Sequence, residues 1–116
     1  MELKTKFKKN YLIITPQIDS LDYENSEDLH EFFDEKIEEE IINFILDMQK
    51  IAYIDSSGLS SLFTIYKKLS EISGLLAIAN PSKAVQHILD VTHMSDTLMV
   101  CDNIKTAEKH IKKEST

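Results

Sequence analysis

An α/β fold with a mixed, mostly parallel sheet of about five strands and about four helices is the architecture this sequence predicts. Three observations carry that reading. Two short, almost continuously apolar runs, residues 41–48 and 75–79, are strands buried on both faces. Stretches of helical apolar spacing follow strands along the chain. The first two strands are adjacent and share a short turn, which makes a hairpin and so a mixed sheet.

Taken in order, residues 1–7 alternate weakly, as an edge strand does, and residues 8–10 turn into a stronger strand at Tyr11-Leu12-Ile13-Ile14-Thr15. Pro16 ends that run, having no N–H for a ladder. Residues 19–25 read as a loop. Ser26 is the expected N-cap of a helix with Glu27 and Asp28 in its first turn. Leu29, Phe32, Phe33 and Ile37 form its apolar face, and fraying is expected near Glu39, where anions oppose the helix dipole. After the 41–48 strand, residues 49–53 connect to Ile54 and then Asp55-Ser56-Ser57-Gly58. A long helix is expected over residues 57–72, with Leu59, Leu62, Phe63, Tyr66 and Leu69 on one face and Gly74 as its stop. Asn80 then caps a helix that Pro81 begins, carrying Val85, Ile88 and Leu89 inward. Residues 98–101 are the last strand. Asp102 or Asn103 caps a final helix with Ile104, Ala107 and Ile111 on one side, and residues 112–116 are expected to fray. No internal repeat or linker divides the chain, so a single domain over residues 1–116 is expected.

Composition excludes several functions. The chain has 42% hydrophobic and 28% charged residues, enough apolar content for a core without disulfides or metal. It carries 20 acidic against 13 basic side chains, a net charge of -7. Nucleic-acid binding needs clustered cations, and none form a stripe. Cys101 is the only cysteine, so no internal disulfide forms and a reducing, cytoplasmic setting is expected. The opening MELKTKFKKN has no apolar signal region. No run approaches the roughly 20 apolar residues of a membrane span, and no basic amphipathic face offers itself to anionic lipid.

Catalytic and cofactor signals are similarly sparse. His30, His87, His93 and His110 lack metal-ligand spacing, so no metal site is expected. Ser56-Ser57-Gly58 lacks the leading glycine of a nucleophile elbow. With Gly58 and Gly74 the only glycines, no phosphate-cradling loop can be written and no cofactor is expected. What remains is Asp55-Ser56-Ser57-Gly58-Leu59 at a strand-to-helix junction. Its plainer reading is a helix cap. Its functional reading starts from the same place: a hydroxyl at a helix N-terminus is reachable by a kinase. A phosphate there adds about -1.5 to -2 charges, which a helix start tolerates and a docked partner does not.

Several segments resemble the STAS domain family, and within it the single-domain anti-sigma factor antagonists. Ile51-Ala52-Tyr53-Ile54-Asp55-Ser56-Ser57-Gly58-Leu59 is similar to the family's D-S-[ST]-G-L signature. The segment from Ile14 to Asp19 resembles its strand-end L-x-G-x-[LI]-D, the one from Ala77 to Val85 its N-P helix start, and the one from Ile88 to Met94 its L-x-D-x-[ST]-G-[LI]. Pro16 and His93 stand where the family has glycines, and His93 is accordingly expected at φ > 0. The resemblance implies a non-enzymatic switch that binds an anti-sigma factor serine kinase while Ser56 is unmodified, is released when that kinase phosphorylates Ser56, and is restored by a metal-dependent serine phosphatase. It implies a contact surface of Asp19, Asp55, Ser57, Gly58, Leu59 and Ser60 around Ser56, with Asp55 either orienting the hydroxyl or capping the helix. A monomer or weak dimer is expected. The competing reading within the family is a scaffold subunit of a larger signalling or transport assembly, and a more remote one is a small-molecule module.

Overall fold

Phe44, Ile45 and Leu46, like Leu76, Ala77 and Ile78, are buried whichever way their side chains point. They are the middle of a five-stranded sheet. The computed structural model describes residues 1–115, and its elements run β1 (Leu3–Phe7), β2 (Leu12–Pro16), β3 (Ser20–Leu21), α1 (Ser26–Glu38), β4 (Asn43–Asp47), β5 (Tyr53–Ile54), α2 (Ser56–Glu71), β6 (Leu75–Ala79), α3 (Lys83–Val91), a 3₁₀ turn (Met94–Asp96), β7 (Met99–Cys101) and α4 (Ile104–Glu114). The main sheet has the order β1-β2-β4-β6-β7. β1 is antiparallel to β2, and the other pairs are parallel.

Alternation along each strand divides the core in two. Leu12, Ile14, Phe44, Leu46, Leu76 and Ile78 point to one face, where α1 adds Leu29 and Phe33, α2 adds Leu62, Ile65 and Leu69, and α3 adds Val85 and Leu89. Tyr11, Ile13, Ile45, Ala77, Ala79 and Cys101 point to the other, under Ala107 and Ile111 of α4. Side chains two apart on a strand share a face, so the sheet is covered by three helices on one side and one on the other.

The structure differs from expectation at specific junctions. β3 and β5 form a small parallel pair outside the main sheet, with Ser20 opposite Tyr53 and Leu21 opposite Ile54. The sequence offered only loops there, because two residues are too few to show a period. Ser26 is the first helical residue of α1, and Asn25 holds the cap position with its side chain bonded to Asp22 N–H and Ser20 C=O. Asn80 does not cap α3. It sits at φ 55° with its side-chain amide donated to Asp47, and Ser82 caps the helix by accepting from Val85 N–H. Pro81 therefore precedes the helix. On α2 the buried stripe runs through Ile65, and Phe63 faces solvent. α4 extends through Lys112 and Lys113 to Glu114, into the stretch expected to fray; Thr116 lies outside the described residues.

Helix ends share one device. At the end of α2, Gly74 N–H bonds Leu69 C=O and Ser73 N–H bonds Ser70 C=O, a Schellman motif with Ser73 left-handed at φ 61°. Gly74 is not the left-handed residue. It is small because a Cβ there would lie 2.4 Å from Ile42 C=O. α1 ends the same way, with Glu40 N–H on Ile37 C=O, Ile41 N–H on Lys36 C=O and Glu40 at φ 67°. α3 ends with His93 at φ 62°, the left-handed position expected from its place opposite a family glycine. A side chain there costs about 1–2 kcal/mol that glycine avoids. Replacing Glu40→Gly or His93→Gly is therefore expected to raise stability by about 0.5–1 kcal/mol each, after glycine's greater unfolded-state freedom is counted. Urea unfolding midpoints measure this, and midpoints at or below that of the original chain would refute it.

Candidate functional site

β5 runs directly into α2, and the junction is fixed by one carboxylate. Asp55 is the N-cap, extended at φ -99°, ψ -175°. Its Oδ1 accepts Gly58 N–H at 2.9 Å and its Oδ2 accepts Tyr23 N–H at 3.1 Å. The first bond satisfies an amide that the helix leaves open. The second ties the segment between β3 and α1 to the start of α2. Asp55 N–H in turn donates to Leu21 C=O at 3.2 Å, continuing the β3–β5 pairing. Of the two roles open to Asp55 from sequence, capping is the one observed.

Gly58 explains how the elements come so close. It is buried, and a Cβ on it would meet Leu21 O at 2.2 Å and Ile54 Cγ1 at 2.8 Å. Its φ is not positive, so what glycine supplies here is space. That contact sets the first turn of α2 against β3 and leaves the opposite side of the turn outward.

Ser56, the first residue of α2, is on that outward side and is exposed. Ser60, one turn on, is exposed as well, and residues four apart share a helix face. Ser57 is half-buried and turned toward α1, in a groove shared with Ser26, His30 and Thr64. Leu59 is half-buried and packs on the rim of the larger core, so it both supports the helix and shows an edge. Asp19 is exposed but lies at the other end of the β3–β5 ladder, its C=O accepting Ala52 N–H at 2.6 Å. The structure thus gathers residues 55–60 at the start of α2 and sets Asp19 about three residues' rise down the ladder from Asp55, on the order of 10 Å.

Sequence reasoning missed two aromatic neighbours. Tyr23, whose N–H is held by Asp55, is 81% exposed, and Tyr53, on β5, is 53% exposed. No periodicity could have marked them, because β3 and β5 are too short. Tyr53, two residues before Asp55, carried the one available signal, an aromatic beside the D-S-S-G run; Tyr23 lies 32 positions from Asp55 and carried none. Among the described residues no helix is long and apolar enough to cross a membrane.

This combination of mixed sheet, auxiliary β3–β5 pair and capped serine turn defines a class. Residues 2–107 match the STAS domain family, and the chain belongs to it. A candidate anti-sigma factor antagonist of Thermotoga neapolitana is 26% identical over 91 residues, 75% of this chain and 80% of that protein. The crystal structure of a Thermotoga maritima protein described in the same terms has a TM-score of 0.88 at 23% identity, covering 95% of this chain and 94% of that one. The anti-sigma factor antagonist SpoIIAA in its unphosphorylated form has a TM-score of 0.72 at 16% identity, covering 97% and 96%. The Bacillus SpoIIAA in its phosphorylated form has a TM-score of 0.71 at 14% identity, covering 93% and 98%. At these identities the likenesses establish the fold.

The Asp55 clamp has a pH signature. The Gly58 N–H holds the Asp55 carboxyl below the ordinary carboxylate value; shielding from water opposes this, and the Tyr23 and Ser57 N–H groups add to it. A depressed folded-state value means that the stabilisation is complete above the unfolded value of about 3.9 and is lost as pH falls through the lower, folded one. Asp55→Asn keeps a good cap without the titrating group. The stability difference between the two chains should be flat above about pH 5 and shrink below about pH 4. Denaturant unfolding across that range checks it, and a difference unchanged down to pH 2 would count against the clamp.

Proposed function

We propose that this chain is an anti-sigma factor antagonist: a binding switch that holds a serine-kinase anti-sigma factor while Ser56 is unmodified and releases it once that kinase has phosphorylated Ser56. The observation that carries the reading is the exposure of the Ser56 side chain at the first position of α2. Family membership supplies the context, and the relatives' descriptions supply the partner class.

The physical case rests on what a phosphate would and would not disturb. Asp55 has both oxygens engaged with backbone N–H groups, so the cap does not depend on the Ser56 hydroxyl. A dianion on Ser56 would sit at the positive end of a helix of 16 residues, where negative charge is favoured. The fold would therefore carry the mark at little cost. A partner seated on the turn faces a different situation. The new charge would be desolvated beside Asp55 on a chain of net charge -7, and burying an unpaired charge is costly.

The contact surface in this proposal is Ser56, Ser57, Leu59 and Ser60, with Asp19 at its margin and the exposed rings of Tyr23 and Tyr53 as its apolar part. Gly58 serves it by setting the turn. A metal-dependent serine phosphatase resets the switch, and the chain acts in the cytoplasm as a monomer or weak dimer. The test is phosphate transfer from the cognate kinase and ATP. One phosphate is expected on the original chain and none on Ser56→Ala, while Ser56→Asp should weaken kinase binding about tenfold or more. A phosphate that persists on Ser56→Ala would overturn the assignment.

A further inference from the structure

The second face of the sheet carries a cavity whose lining does not include Ser56. α4 packs over β4, β6 and β7, and beside it, over β1 and the end of β2, lies a cavity of about 270 Å³. Its floor is Ile13 and Thr15, one wall is Lys4, Lys6 and Lys8, the other is Ile104 and Glu108, and Asp47 and Gln49 close its end. The lysines are there by register. Lys4 is opposite Thr15 and Lys6 opposite Ile13, and cross-strand partners share a face, so both stand over the trough. Lysines that merely guard a sheet edge against pairing have no need of an apolar floor between them and a helix.

The hydrogen-bond accounting gives the cavity a direction. Asp47 is 1% exposed and fully engaged. Its Oδ2 accepts from Thr15 Oγ1 at 2.9 Å and Gln49 Nε2 at 2.6 Å, and its Oδ1 accepts from Asn80 Nδ2 at 2.9 Å and Gln49 N–H at 3.2 Å. The Thr15 hydroxyl spends its proton on Asp47 and Gln49 spends one of its two amide protons there, so what they have left for the cavity is the Thr15 lone pairs, the Gln49 side-chain carbonyl and one Gln49 N–H. At the other wall, Glu108 is occupied by the Tyr11 hydroxyl and by Lys8 at 3.9 Å. Lys4 and Lys6 form no ion pair among the described residues. The trough therefore has two uncommitted cations along one side, an apolar floor, and at one end two uncommitted acceptor groups with one amide N–H.

We propose that this trough binds a small amphipathic acid, with the anionic group on Lys4 and Lys6, the apolar body on Ile13 and Ile104, and a hydroxyl or amino donor on Thr15 and Gln49. A ligand of benzenoid size suits the volume. The proposal is independent of the switch at Ser56.

The test uses the ¹⁵N-labelled full chain titrated with 4-hydroxybenzoate and, separately, with neutral 4-hydroxybenzyl alcohol, following backbone amide shifts. The acid is expected to shift residues 4–6, 13–15 and 104 saturably. The alcohol should bind about tenfold more weakly or less. In the Lys4→Gln/Lys6→Gln chain, whose two substitutions lie on exposed positions and whose fold the same spectra report, the acid should lose that advantage. The absence of saturable shifts in the trough, an alcohol that binds as tightly as the acid, or a double variant that binds the acid like the original chain would each overturn the proposal.

Discussion

One carboxylate organises the functional end of this molecule. Asp55 closes the start of α2 through Gly58 and holds the segment after β3 through Tyr23. Its own backbone N–H extends the pairing of β5 with β3. Cap, loop anchor and strand end meet in one residue. The outward direction of Ser56, the burial of Gly58 and the display of Tyr23 all follow from that meeting. A cap that also anchors a loop leaves little freedom at the junction, and a preorganised turn is what the binding surface proposed around Ser56 requires.

The scaffold beneath it is stiff for ordinary reasons. β4 and β6 are apolar on both faces and paired on both edges, so a slip in register would exchange side chains between two differently packed cores and break the fit of each. α2 is held on this base by Leu62, Ile65 and Leu69. It is held on α1 by Ser61 Oγ donating to Ser26 C=O at 3.1 Å and by Lys68 on Asp34 at 2.7 Å. The ion pair is partly exposed and worth little by itself; packing does most of the holding. At the far end of β4 a second polar hub, Asp47, fixes Asn80 in its left-handed conformation and orients Gln49 and Thr15. The two hubs each sit at the carboxyl end of a strand, Asp47 closing β4 of the main sheet and Asp55 following β5 of the small pair.

Much of this was legible in the sequence, and the unreadable parts have a common cause. Runs such as residues 41–48 and 75–79 declare buried strands, and the order of strands and helices follows from periodicity. The turn at residues 55–60 was visible because Asp, Ser and Gly have specific uses at helix starts, and His93 at φ > 0 followed from a glycine position in the resembled family. Misreadings occurred where two residues compete for one local job. Ser26 and Asn25 both suit an N-cap, and Asn25 holds the position with its side chain committed to Ser20 C=O and Asp22 N–H. Asn80 lost the cap of α3 to Ser82 because Asp47, distant in sequence, claims its amide. β3 and β5 were invisible because two-residue strands exist only through each other. Tyr23 gains its place from the Asp55 carboxylate 32 positions away.

A switch at Ser56 requires that the protein bear a phosphate there without rearrangement. The most direct measurement is a comparison of amide shifts and hydrogen-exchange protection between the unmodified chain and the chain carrying phosphoserine at residue 56. Changes confined to the first turn of α2 and the segment around Tyr23, with exchange in β4 and β6 unaltered, are the expected result. Loss of protection in those central strands would contradict it.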